Sequence, residues 1–248
     1  GAFTAPMSAS NPVSDGPTVI VTEPISGDGV VNAAEDDSVS ISGTSAHISD
    51  GATVSLTVSD GTHSVSGTGT VSGNAWTVSG LNLSTLNEGT LTVTATYNDG
   101  NAATADPTDT ASVQHDTVPP TIAIDQLATA VSGKPTFTGT TDLPVGSQIT
   151  VTIDPDNNAG TANSLVYQVI VGTGGVWSLN TATVTPSSGT MPNGGLKSYS
   201  KISASATDTA GNQATATAIN RPTVNSLSTN DTTPTITGTW TNISGDAL

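Results

Sequence analysis

Cysteine is absent from the 248 residues, so neither a disulfide framework nor a thiolate metal site can be built. Basic side chains are almost as scarce: four Lys and Arg face twenty Asp and Glu, for a formal net charge of −16. Such a surface repels phosphate backbones and anionic lipid, which excludes nucleic acid and membrane insertion from the expected partners. Aromatic residues make up only 3%, so any core must be filled by Val, Ile and Leu with Thr and Ala, and small cores mean small modules. No apolar run reaches the length of a membrane span. Phosphate-loop and cofactor fingerprints are missing too. The three histidines, His47, His63 and His115, fall in separate segments, so no hydrolase triad is expected and the chain is read as non-enzymatic.

What is present is two-residue alternation. It runs through TVIVT (18–22), SVSIS (38–42), TVSLTV (53–58), TLTVTATY (90–97), TIAID (121–125) and QITVTID (148–154), the pattern of half-buried strands. Turn formers separate the runs: SDGT (59–62), SGN (72–74), YNDGN (97–101) and TAGN (209–212). Nothing supports a long amphipathic helix, and the chain reads as all-β with hairpin or Greek-key connections.

The runs recur. GPTVIV at 16–21 returns as PPTIAI at 119–124 and RPTVNS at 221–226; VSISGTS at 39–45 returns as TFTGTT at 136–141 and TITGTW at 235–240. Trp76 in GNAWTVSGL matches Trp177 in GGVWSLNTA, and YNDGNAAT at 97–104 matches TDTAGNQAT at 207–215. A period of roughly one hundred residues defines a module of about seven strands, the size of an immunoglobulin-like sandwich. The expected organisation is an N-terminal segment or the end of a preceding repeat at 1–16, one module at 17–116, a second at 117–221, and the first strands of an incomplete third at 222–248. The two tryptophans share a strand position and are expected in the cores, whereas Tyr97 and Tyr199 suit a sandwich corner. Trp240 has no counterpart, since Thr141 holds its register in the second module.

In order, DTVPPTIAI, an acidic GDGVVNAAE loop, a SISGT strand, a Gly-x-x-Trp strand and a closing TDTAGNQAT resemble the bacterial Ig-like repeats of giant type I-secreted adhesins of the RTX and biofilm type. The resemblance covers residues 17–222. It implies tandem immunoglobulin-like Greek-key β-sandwiches whose extension from a cell surface is rigidified by calcium. It also implies an extracellular or surface location, and a monomer whose partners are neighbouring modules of its own chain, any cell-surface or glycan target being met by other regions. The first module departs from the pattern in its shortened NDGN loop, and INRP at 219–222 lacks the aspartate of HDTVPP.

That topology gives the acids a place. In a seven-strand sandwich the AB, CD and EF loops gather at the C-terminal pole and the BC and FG loops at the N-terminal one. The AB loop GDGVVNAAEDD (27–37) holds Asp28, Glu35, Asp36 and Asp37 with no basic residue among them. It would therefore meet Asp116 of the linker HDTVPP, and Asp208 and Asn212 of the TDTAGN turn. Asp28, Asn32, Glu35, Asp37, Asp116 and Asp208 would repel one another unless a hard cation sat between them, and all-oxygen ligation is calcium chemistry. The alternative is a solvated acidic loop. The same logic groups Asp15, Asp99 and Asn101 at the upstream face of the first module. Asp154, Asp156 and Asn158 in DPDNNAG alternate like a partial calcium loop, although the glycine comes one place late and no bidentate Glu follows; an Asp- and Asn-rich turn accounts for them equally.

The functional expectation is a calcium-rigidified spacer of a secreted or cell-surface bacterial adhesin. The alternative from another class is a calcium-dependent carbohydrate-binding or accessory module of a secreted glycan-active protein.

Overall fold

Alternation becomes a two-faced strand only where a second sheet covers the apolar side, and each repeat supplies its own pair of sheets. A computed structural model describes residues 16–101, 105–125, 133–158 and 161–219. The expected third module and Asp15 lie outside the described residues. The chain divides into two compact units, Gly1–Val118 and Pro119–Leu248.

The first unit contains β1 (Thr18–Val21), β2 (Val30–Val31), β3 (Val39–Ala46), β4 (Thr53–Ser59), β5 (Ser64–Thr70), β6 (Ala75–Leu81), β7 (Gly89–Thr96) and β8 (Thr108–His115). They form one sheet in the order β1-β3-β6 and another in the order β2-β8-β7-β4-β5. The first edge strand is therefore split: β1 pairs antiparallel with β3, and after a short 3₁₀ turn at Ile25–Gly27 the chain changes sheets, so that β2 pairs parallel with β8. Asp109 on β8 ties the sheets together here, its Oδ2 accepting from the Val21 N–H at 2.8 Å.

The second unit contains β9 (Ile122–Ile124), β10 (Thr136–Thr141), β11 (Gln148–Asp154), β12 (Leu165–Ile170), β13 (Val176–Asn180), β14 (Lys201–Thr207) and β15 (Gln213–Ile219). Its sheets run β13-β10-β9 and β12-β11-β14-β15. Among the described residues there is no α-helix, and both units are immunoglobulin-like Greek-key sandwiches.

Burial follows the pleat. β3 alternates buried and exposed along its whole length, and β4, β7 and β11 do nearly the same. The first core packs Ile41, Leu56, Trp76, Leu83 and Leu91; the second packs Phe137, Ile149, Ile153, Tyr167, Trp177 and Leu179. Each fully buried aliphatic or aromatic side chain stabilises its module by about 1.5–3 kcal/mol relative to exposure.

The repeated glycine and tryptophan explain each other. Gly43 pairs across the sheet with Trp76, and Gly139 with Trp177. A Cβ on Gly43 would run into the Ile20 carbonyl and the Trp76 indole; on Gly139 it would meet the Ala123 carbonyl and the Trp177 indole. Each indole lies over a glycine because only a residue without a side chain leaves it room. The Trp76 Nε1–H donates to the Thr44 carbonyl at 3.1 Å, whereas the Trp177 N–H is buried with no partner among the described residues.

Candidate functional site

An acidic pole is assembled by the pairing of β2 with β8. Asp28 launches β2, its Oδ1 accepting from the Val30 N–H at 2.9 Å. Parallel pairing then sets Val30 against Gln114 and Val31 against His115, and the Asp116 N–H donates to the Val31 carbonyl at 3.0 Å. Asn32 and Asp116 thus leave the two strands side by side, 84 positions apart in the chain.

The turn that follows is closed by its own polar groups. The Asn32 carbonyl accepts from the Glu35 and Asp36 N–H groups, the Asn32 side-chain oxygen from Ala34 N–H at 2.9 Å, and Glu35 Oε2 from the Asn32 N–H at 3.2 Å. Asp116 Oδ1 accepts from Val118 N–H at 3.3 Å. Glu88 reaches the same strand end, accepting from both the Thr117 N–H and hydroxyl. His115 is buried, with Nδ1 3.2 Å from the Asn87 carbonyl and Nε2 4.0 Å from Asp36 Oδ2.

Sequence reasoning missed Glu88, whose signal was its position in LNEGT, a loop at the same end of the sandwich as the acidic turn. It also missed the two-residue strand Val30–Val31, too short to show alternation.

Electrostatics sharpen the picture. The first unit carries thirteen Asp and Glu and no Lys or Arg, while the second carries seven acids and all four basic residues. The first unit thus has no side-chain ammonium or guanidinium of its own to offset the pole. Every side-chain donor named in its acidic turn is a carboxylate or amide oxygen, which is hard-cation chemistry. Among the described residues, however, no group of three or more His, Asp or Glu stands close enough to hold a metal ion by itself.

The other candidates fall into local turns. Asp208 and Asn212 do come together: Asp208 Oδ1 accepts from the Asn212 N–H at 2.9 Å, and its Oδ2 from the Asn212 side-chain amide at 3.2 Å, closing the β14–β15 hairpin. Asp99 Oδ1 accepts from the Asn101 N–H at 2.8 Å. In DPDNNAG, Asp154 Oδ1 accepts from Asp156 N–H at 3.3 Å, and Asp156 Oδ1 from Asn158 N–H at 3.2 Å. Burial pushes the Asp156 carboxyl up, but bonds involving Asp154, Asn158, Asn163 and Thr161 outweigh it and hold the pKa below the ordinary value.

Asp60, in the SDGT turn, does more than form a turn. Its side chain is 3% exposed. It accepts from the backbone N–H groups of His63 (2.6 Å), Asn87 (2.7 Å) and Thr62 (2.7 Å) and from the Thr62 hydroxyl (2.8 Å). These bonds, those from His63 and Asn87 foremost, hold its carboxyl far below the usual carboxylate range. His63 is therefore engaged in pinning the β4–β5 hairpin, and His47 sits exposed in a left-handed turn with φ 57°.

Fold and pole together define two immunoglobulin-like modules, the first of which has an acidic pole. No protein-family model and no curated protein matches the chain. Solved structures are similar to it over most of its length. One is a tetra-tandem repeat in the extending region of a large adhesion protein, 25% identical, covering 82% of this chain and 48% of that one, with a TM-score of 0.33. Another is a Ca²⁺-stabilised adhesin with which an Antarctic bacterium reaches out and binds ice, 22% identical over 83% of this chain and 48% of that one, TM-score 0.47. A third is a 1.5-MDa bacterial ice-binding adhesin, 18% identical over 83% and 65%, TM-score 0.43. The chain spans about half the length of the first two. No helix among the described residues is long and apolar enough to cross a membrane.

Proposed function

We propose that this chain is a spacer in the extender region of an extracellular, surface-held bacterial adhesin, stiffened by calcium at the acidic pole of its first module. The observation that carries the reading is the β2–β8 pairing, which brings the acidic turn against Asp116 in a module that has no Lys or Arg of its own. Asn32, Glu35 and Asp116 would contribute side-chain oxygens to the ion, with backbone carbonyls and water completing its shell, as is usual for Ca²⁺. Calcium supplies the charge that the module lacks. The protein's own residues supply the rest: β2 and β8 fix where the donors stand, and Glu88 fixes Thr117, through which the module continues toward Pro119 and Pro120. Those prolines restrict the chain further.

The test compares the chain in EDTA and in excess Ca²⁺. Calorimetry should show a higher Tm with calcium, through preferential binding to the folded form, and X-ray scattering a maximum dimension that is longer and better defined. Asp116→Ala should shrink the calcium-dependent rise while leaving the EDTA melting curve near wild type, because Asp116 contributes no apolar burial. Identical curves with and without calcium would overturn the reading.

A further inference from the structure

The segment between β13 and β14 is the part of the second module that the repeat does not account for. In the first module residues 82–88 join the corresponding strands; in the second, residues 181–200 do. A connection of that length in a compact domain usually serves a purpose. It is folded onto the module at several points. Val166 N–H donates to the Ser188 carbonyl, and the Ser187 N–H and hydroxyl donate back to the Val166 carbonyl, so the segment covers the edge of β12. Gly133 and Leu196 exchange backbone hydrogen bonds, and the buried Ser200 hydroxyl donates to the Pro155 carbonyl at 2.9 Å. Gly189, at φ 84°, lies where a Cβ would strike the Ser164 carbonyl.

Between this segment and the sandwich lies a cleft of about 350 Å³, lined among others by Lys134, Tyr167, Thr183, Val184, Thr185 and Met191. Tyr167 is wholly buried, and its hydroxyl has no hydrogen-bond partner among the described residues. Buried hydroxyls are nearly always paired, because an unpaired one forfeits its hydration without return. Lys134 is one of only four basic residues in the chain and brings a full positive charge to the cleft. Val184 is 38% exposed and, with Met191, offers aliphatic surface.

We propose that this cleft binds an acidic saccharide, its carboxylate paired with Lys134, a ring oxygen or hydroxyl accepting from Tyr167, and its C–H face lying on Val184 and Met191. Threonine hydroxyls on the inserted segment match a polyhydroxyl ligand, whereas a bare inorganic anion would leave the aliphatic surface unused and a neutral sugar would leave Lys134 unpaired. This site needs no calcium and belongs to the second module alone, so it stands or falls separately from the stiffened spacer.

The test titrates the 248-residue chain, in EDTA, with a uronic-acid disaccharide and with the neutral disaccharide of the same linkage, following binding by calorimetry and by NMR shifts of Val184 and Met191. The acidic probe should bind saturably and at least roughly tenfold more tightly than the neutral one. Lys134→Ala, at an exposed position, should abolish that difference. Tyr167→Phe should weaken the acidic probe by roughly tenfold while raising the Tm of the free protein, since the substitution removes an unpaired hydroxyl. No saturable binding, equal affinity for the two probes, or wild-type affinity in a folded Tyr167→Phe protein would overturn the proposal. Should Tyr167→Phe fail to fold by circular dichroism, the Lys134→Ala comparison decides alone.

Discussion

At Gly43 and Gly139 the side chain is a hydrogen atom because the space belongs to tryptophan. Gly43→Ala would drive a methyl group into the Ile20 carbonyl and the Trp76 ring, and neither the backbone nor a fully packed indole can yield cheaply. The expected loss is about 1–3 kcal/mol or more for the first module, measured as a drop in its urea midpoint; a midpoint unchanged from wild type would show that the indole does not need the glycine. Asp60 makes a second residue-scale prediction. Its folded pKa is depressed, so its contribution is complete above the unfolded value, at neutral pH, and is lost as pH falls through and below the ordinary carboxylate range. The urea midpoint of Asp60→Ala should accordingly lie well below wild type near neutrality, and the gap should narrow in acid. A gap independent of pH would mean that the hairpin is not held by the ionised carboxylate.

Elements were legible in proportion to their periodicity. TVSLTV, TLTVTATY and QITVTID became β4, β7 and β11 almost residue for residue, because a sheet with one covered face leaves an alternating trace. Trp76 and Trp177 could be assigned to cores from their repeat position, and both are buried. β2 was not legible: a two-residue strand is specified by its partner β8, more than eighty residues away, and not by its own pattern. Nor was the role of the segment at 181–200, whose hydrogen bonds go to Val166 and Gly133 and leave no local trace. Asp60 was seen as a turn residue, but its tie to Asn87 is tertiary. The acids of the pole were visible as an unbalanced run; that Asn32 leaves its strand beside Asp116 required the pairing. The covering of β12 also makes a prediction, since exposed edges invite pairing with another chain. Replacing residues 182–190 with a short Gly-Ser link should uncover the Val166 N–H and carbonyl and produce concentration-dependent association in sedimentation runs. A shortened chain that stays monomeric at every concentration would show that the segment does not protect this edge.

Across the whole molecule the charge is unevenly shared. The first unit, residues 1–118, carries a formal −13 and the second, residues 119–248, −3. Self-repulsion of that size destabilises a compact state and is screened by salt. In EDTA, raising sodium chloride should therefore raise the melting temperature of the first module far more than that of the second, followed through the separate NMR signals of Trp76 and Trp177. Equal salt responses would contradict it. The split first strand has a consequence of another kind when the chain is pulled by its ends. Tension enters the first module ahead of β2 and leaves it after β8, and these two strands run parallel as neighbours. Drawing them apart along their length makes them slide past each other, so the bonds from Gln114 N–H to the Gly29 carbonyl and from Asp116 N–H to the Val31 carbonyl bear the load together. They cannot be opened one at a time like the teeth of a zip.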